Sequence, residues 1–175
     1  MFSRSEERWQ RRWEERSRPP VQRVTATASC EVRNYTPAEV WAFVRPAETS
    51  VLLNEDVRRA FTVPGTGPGV GEQQCTVSLV DGREAMSVLT VMAVEENHYA
   101  EVGNPDEPES GSRYEVQAAE GGTVYSATSW WDVPEGHPRK IYAECEGQLA
   151  AHLNKHVRRV KALLESGVLP RPASD

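Results

Sequence analysis

The 175-residue sequence lacks several features that would assign it to a familiar class of protein. It has no apolar run approaching the roughly 18 residues that cross a membrane, and its N-terminus is charged, unlike a secretory signal. It also lacks an excess of positive charge, because its net charge is -6, whereas a general nucleic-acid binder presents a basic surface to phosphate. These absences predict a cytoplasmic protein with no transmembrane segment and no nucleic-acid partner.

Cysteine is scarce, and the three residues of this type, Cys30, Cys75 and Cys145, are widely spaced. Their number is odd and no C-x-x-C pair occurs, which favours reduced thiols at core-facing positions over a disulfide framework. His152 and His156 lie four apart and share a helix face, but a zinc site needs three or four convergent ligands. We therefore expect no metal and no cofactor.

Diagnostic catalytic motifs are missing as well. The sequence contains no G-x-S-x-G nucleophile elbow. The glycine-rich stretch 65–71 is not followed by Lys-Ser/Thr or by a helix, as a phosphate-binding loop would require. These glycines are interpreted instead as residues that let a loop turn tightly and adopt positive φ.

The first 20 residues form a charged arm that differs in composition from the rest of the chain. The arm carries six Arg and four Glu, and it ends at Pro19 and Pro20. Trp9 and Trp13 lie four apart, on one face if a helix forms. The arm is interpreted either as a solvated helix whose two Trp pack on the domain or as a surface for a partner. We expect one domain over residues 21–167 and a tail over 168–175.

Alternation with a period of two predicts most of the chain to be β-strand. In the first strand, Val24, Ala26 and Ala28 alternate with polar residues, which separates an apolar face from a polar one. Hairpin turns such as Asp81-Gly82 join neighbouring strands and make the sheet antiparallel. The predicted strands are 21–33, 57–63, 72–80, 83–94, 98–102, 112–119 and 123–133.

Helices are predicted at three places. Thr36, Pro37 and Glu39 form a capping box that begins a short helix, and a second short helical turn covers 47–53. The longest helix, 139–166, carries an apolar stripe that faces a core. The sequence thus predicts an α+β fold in which a curved antiparallel sheet of about seven strands wraps a long C-terminal helix, with two short helices after the first strand. Such an arrangement leaves room for an apolar cavity.

These segments also carry a resemblance to a known family. The residues concerned are the first strand leading into 36–44, the segments 63–65 and 69–72, the turn 121–124 and the C-terminal helix. Over about residues 21–166 the chain resembles the START/Bet v 1-like (SRPBCC) superfamily, and within it the bacterial polyketide cyclase/dehydrase and lipid-transport group. The resemblance implies a helix-grip fold with a deep pocket, but it implies no single activity, because the fold hosts both carriers and enzymes.

Large side chains, several with polar tips, are the candidates for the wall of such a pocket. Because adjacent strand residues face opposite sides, at most one of the neighbours Trp130 and Trp131 reaches it. Each candidate has the alternative role of simply filling the core. The ligand-binding candidates are Trp41, Phe61, Met86, Met92, Tyr99, Trp130, Tyr142 and Leu149.

Three functional hypotheses follow. The first is a module that binds an apolar or aromatic small molecule, lipid-like or polyketide-like, as a monomer or homodimer. The second is an aromatic polyketide cyclase or dehydratase, which must remove a proton beside a carbonyl and stabilise the enolate. The third is a protein-interaction module without a ligand, acting through the arm or the acidic loop 103–111, with a cavity packed shut. The candidates for the catalytic groups of the cyclase or dehydratase are Tyr99, Tyr142, His98, His152 and Arg83.

Overall fold

The fold is an antiparallel sheet with a long helix on one face, seen in a computed structural model that describes residues 20–104 and 110–167. The arm with Trp9 and Trp13, the tail and the centre of the acidic loop lie outside the described residues. The strands are β1 (Val21–Arg33), β2 (Val57–Thr62), β3 (Gln73–Val80), β4 (Arg83–Glu95), β5 (Tyr99–Gly103), β6 (Ser110–Ala119) and β7 (Gly122–Pro134). The helices are α1 (Pro37–Val44), α2 (Ser50–Leu53) and α3 (Arg139–Glu165), with a 3₁₀ turn at Ala47–Thr49.

The sheet has seven strands in the order β1-β7-β6-β5-β4-β3-β2, and every neighbouring pair is antiparallel. Hairpins join β3 to β4 and β6 to β7, while the first strand pairs with the last over its whole length. The predicted α+β architecture is confirmed: a curved seven-stranded sheet, two short helices after β1 and a long C-terminal helix.

Helix α1 begins at the predicted capping box. The backbone N–H of Glu39 donates to Thr36 Oγ1 at 3.3 Å, and the Thr36 N–H donates to Glu39 Oε2 at 2.7 Å. Pro37 occupies the first turn, where its missing N–H costs nothing. These contacts fix where α1 begins after β1, and Arg45 is the residue that follows its last turn.

Helix α3 packs on β1 and β7 through the predicted apolar stripe. Small residues on β1, Ala26 and Ala28, are buried beneath it and let the helix lie close to the sheet. None of the described helices is long and apolar enough to cross a membrane. The buried stripe of α3 consists of Leu149, Leu153, Val157, Val160 and Leu164.

The helix covers the sheet unevenly. Its principal strand contacts are with β1 and β7, whereas α2 and the 3₁₀ turn pack against β2, and the turn also reaches β3. The inner faces of the central strands therefore lie under the gap between α3 and these short helices, and the candidate site lies in that gap.

Candidate functional site

A cavity of about 430 Å³ lies between α3, the segment from Val44 to Val57 and the inner face of strands β3 to β7. A second space of about 310 Å³ adjoins it under the first half of α3. Both spaces are lined by Leu89, Ser112, Ser129 and His152, so they are neighbours along one gap. The larger space is within the range that small-molecule sites usually occupy.

The wall of the larger cavity combines apolar and polar surfaces. Leu53, Val102 and Leu153 contribute apolar side chains from the short helices, the sheet and α3. Strand β3 contributes polar ones, because Gln74, Thr76 and Ser78 line the cavity. The alternation predicted for β3 is present, and its polar side is the one that faces inward.

An ion pair lies in the cavity wall at the end of α1. Arg45 donates from both terminal nitrogens to the two carboxylate oxygens of Glu72, at 2.8 and 2.7 Å, and Gln74 Nε2 donates to Glu72 Oε1 at 2.8 Å. Burial disfavours the charged carboxylate, but the hydrogen bonds from Arg45 and Gln74 outweigh it and hold the pKa of Glu72 below its usual value. Both partners are therefore charged at neutral pH, and each satisfies the other.

Tyr114 lies beside this ion pair and also lines the cavity. Burial raises the pKa of its hydroxyl to about 12, with the nearby Arg45 guanidinium opposing that rise. Its ring packs against that of Trp41, with the centroids 5.8 Å apart. Tyr114 is thus an uncharged hydroxyl held in place by an aromatic neighbour.

A tyrosine–histidine pair in the cavity wall joins β7 to α3. The Tyr125 hydroxyl lies 2.9 Å from His156 Nε2. Burial, with a contribution from His152, lowers the pKa of His156 to about 4, and burial raises the pKa of Tyr125 well above its usual value. Both side chains are therefore neutral at pH 7. A hydroxyl pair, Ser112 Oγ and Ser129 Oγ at 2.7 Å, lies on the neighbouring strands.

Two of the residues that the sequence analysis proposed for the site, Leu149 and His152, line these cavities. Trp41 lies behind Tyr114 and donates from Nε1 to Glu96 at 2.8 Å. Tyr142 donates to the carbonyl of Pro134 at 3.0 Å. Trp131 lines the smaller cavity, and its neighbour Trp130 therefore points to the opposite face of the sheet.

The remaining candidates lie on the outer face of the sheet or at its edges. Met86 and Phe61 are 72% and 41% exposed and pair in register with Val77 and Cys75, which alternate with the cavity-lining residues of β3. Met92 is partly exposed. The structure therefore does not bring these large apolar side chains together with Leu149 and His152.

The polar catalytic candidates are also dispersed. The ring of Tyr99 lies under Arg113, whose guanidinium carbon is 4.0 Å from the ring centroid. His98 lies between two carboxylates, with Nδ1 3.2 Å from Glu95 and Nε2 3.6 Å from Glu115. Arg83 begins β4, next to the hairpin turn. Only His152 of this set lies in the cavity wall.

Sequence reasoning missed the residues that give the cavity its polar character: Arg45, Glu72, Tyr114, Tyr125 and His156. The one available signal was the four-residue spacing of His152 and His156, which placed both on one face of α3. Within residues 20–104 and 110–167, no group of three or more His, Cys, Asp or Glu side chains is arranged to hold a metal ion.

Comparison with known proteins identifies the fold. No protein-family model matches the sequence, and no curated protein is similar enough in sequence to match. Among solved structures, the di-domain ARO/CYC StfQ from the steffimycin biosynthetic pathway superposes with a TM-score of 0.66 at 14% identity. The match covers 89% of this chain and 54% of StfQ, so the chain spans about half of that protein.

Two single-domain structures match over nearly their whole length. The Polyketide_cyc-like protein Cgl2372 from Corynebacterium glutamicum has a TM-score of 0.61 at 16% identity, over 82% of this chain and 93% of its own. Ara h 8.0201 has a TM-score of 0.57 at 14% identity, over 83% of this chain and 100% of its own. The chain therefore has the helix-grip fold that Bet v 1-like and polyketide cyclase-like proteins share, as the resemblance implied.

Proposed function

We propose that this protein binds a small, largely apolar molecule that carries hydroxyl or keto oxygens, in the cavity between the sheet and α3. The observation that supports this most directly is the cavity itself, an open space of about 430 Å³ whose apolar walls are interrupted by a few buried polar groups. A packed interior, with Trp41, Met86 and Met92 filling the gap, would have favoured an interaction module instead. Those three side chains do not fill it.

The polar groups would recognise oxygens on the ligand. Gln74, Thr76 and the Ser112–Ser129 pair offer both donors and acceptors to the cavity. A ligand that leaves buried polar groups unpaired loses affinity, so a molecule with matching oxygens is favoured over a plain hydrocarbon. Of the residues proposed from sequence, His152 lines this cavity and Leu149 lines the smaller space that adjoins it.

The test is native mass spectrometry of the purified protein, followed by denaturing extraction of whatever it carries. The variant Ala127→Phe places a ring into the cavity, because Ala127 lines it and is 5% exposed. Its matched control is Thr128→Phe on the opposite face of β7, where the Thr128 hydroxyl contacts Thr27. We expect a bound small molecule in wild type and in Thr128→Phe but not in Ala127→Phe. An empty wild-type protein that also gains no thermal stability from apolar ligands would refute the proposal.

A second candidate function, an aromatic polyketide cyclase or dehydratase, is favoured by the Tyr125–His156 pair. A neutral imidazole and a phenol at 2.9 Å in a cavity wall are suited to moving a proton next to a bound carbonyl. The similarity of fold to StfQ, itself described as an ARO/CYC protein, is consistent with this candidate. The roles of Tyr99, Tyr142, His98, His152 and Arg83 stay predictions of the same hypothesis.

Exchange of α-protons tests this candidate without knowledge of the substrate. Wild type should accelerate deuterium uptake from D2O into 2-tetralone, a bicyclic ketone, as followed by NMR. His156→Gln and Tyr125→Phe should abolish the acceleration while the binding of 2-tetralone persists. Tyr99→Phe is the control, because Tyr99 was proposed from sequence but lies on the outer face of the sheet. This variant should retain the acceleration if the Tyr125–His156 pair moves the proton. No acceleration by wild type would exclude this proton-transfer chemistry for the ketone.

A further inference from the structure

The positive charge in the cavity wall is already neutralised. Arg45, the residue that follows α1, lines the cavity, and both of its terminal nitrogens bind the carboxylate of Glu72. The two side chains are only 12% and 7% exposed, so water screens the pair poorly. An anionic ligand would have to compete with a carboxylate that is already held by two hydrogen bonds from Arg45 and one from Gln74.

Other cations around the cavity are directed away from it or paired. Arg113 also lines the larger cavity, but its guanidinium lies over the ring of Tyr99 and contacts Glu115. Lys155 forms an ion pair with Glu55 at 2.7 Å, and Arg159 Nε donates to the carbonyl of Leu52 at 3.1 Å. In the part of the chain that the structure describes, no unpaired guanidinium or ammonium lines either cavity.

Two further ionisable groups of the wall, His156 and Tyr125, supply no positive charge at slightly alkaline pH. His156 is buried and neutral, and its partner Tyr125 is a neutral phenol. The exposed carboxylate of Asp56 lines the cavity and adds negative charge there. Transfer of an anion from water to a site without a free cation is unfavourable, since the lost hydration is not replaced.

We propose that this cavity takes uncharged ligands and rejects anionic amphiphiles such as fatty acids and anionic phospholipids. The proposal deepens the binding function proposed above and rests on it. It separates two classes of molecule that the size and apolar character of the cavity would accept equally well.

Two fluorescent probes that differ by one sulfonate test the proposal. N-phenyl-1-naphthylamine is uncharged, and 8-anilinonaphthalene-1-sulfonate has the same rings with a negative charge. Titrations at pH 8, above the ordinary pKa of histidine, should give an affinity at least about tenfold higher for the uncharged probe, a ratio equivalent to about 1.4 kcal/mol. Only fluorescence that Ala127→Phe abolishes and Thr128→Phe retains is assigned to the cavity.

Variants that release or add a cation should change this ratio. Glu72→Gln leaves Arg45 without its carboxylate, so the sulfonate probe should bind at least about fivefold more tightly than to wild type. Thr76→Lys adds an ammonium at a half-buried position of the wall and tests the same point if Glu72→Gln does not fold. Equal or tighter binding of the sulfonate by wild type, or a ratio unchanged in the folded variants, would overturn the proposal. Failure of both probes to bind would instead count against the binding function itself.

Discussion

The Arg45–Glu72 pair allows a quantitative prediction about stability. Replacing Arg45 with Met leaves the Glu72 carboxylate, 7% exposed, buried without a cation. Breaking a buried pair in this way costs about 3 to 5 kcal/mol of unfolding free energy. For a domain of this size that loss corresponds to a melting temperature lower by on the order of 10 °C. The double variant Arg45→Met/Glu72→Met removes both charges and should lie within about 1 kcal/mol of wild type.

The pH dependence of the single variant has a defined sign. In wild type, Arg45 and Gln74 overcome the effect of burial and lower the pKa of Glu72, so the pair stabilises the fold above the usual carboxyl pKa and less as pH falls through the lowered value. In Arg45→Met, burial acts without the cation and raises that pKa. The destabilisation should therefore be largest at pH 7 and should shrink toward pH 5, as protonation removes the buried charge.

Urea denaturation of the two variants and wild type at pH 7 and pH 5 measures these differences. The matched control is Arg59→Met, which breaks an ion pair with Glu84 at 3.2 Å whose side chains are 65% and 59% exposed. This exposed pair should contribute less than about 1 kcal/mol. A loss in Arg45→Met no greater than in Arg59→Met, or one that grows toward pH 5, would refute the reasoning.

Three further predictions concern the fold and can be measured by thermal or urea denaturation. Leu164 lies on the buried side of α3 and is 4% exposed, so Leu164→Ala should lower the free energy of unfolding by about 2 to 5 kcal/mol. Arg158→Ala, on the exposed side of the same helix, should lower it little. Equal losses would contradict the assigned packing of α3. Gly111→Ala should destabilise by about 1 to 3 kcal/mol, because a Cβ there would meet the ring of Trp130. Gly147→Ala, with open space in the middle of α3, should instead stabilise by about 0.5 to 1 kcal/mol; the same sign for both glycines would contradict this account. Thr36→Ala removes the N-cap of α1 and should cost about 1 kcal/mol, and a cost near zero would mean that the capping box contributes nothing to the fold.

The fold could be predicted from the sequence because its signals are local. Alternation in β1, the capping box at Thr36 and the stripe along α3 each depend on residues within a few positions of one another. The hairpin turns then set the strand order among neighbours. The pairing of β1 with β7 joins the two ends of the domain and has no such local signal, so the sequence did not predict it.

Apart from Leu149 and His152, the cavity residues could not be predicted, because they depend on tertiary contacts and on which face of a strand turns inward. Arg45 and Glu72 are far apart in sequence, and the end of α1 brings them together. In β3, Cys75 and Val77 form the apolar side, but Gln74 and Thr76 line the cavity. Choosing large apolar residues as the wall therefore selected Phe61 and Met86, which are exposed on the outer face.

The polar side of β3, and not its apolar side, faces the cavity. This orientation bears on the kind of ligand that we propose. A carrier for plain hydrocarbon would have its apolar side turned inward, since burying unpaired amide and hydroxyl groups against an alkane is unfavourable. Here the inner face of β3 offers Gln74 and Thr76, while the guanidinium of Arg45 beside them is already bound to Glu72. The proposed ligand is therefore recognised by polar groups without free charge, and we expect neutral oxygens to be favoured over both alkyl chains and carboxylates.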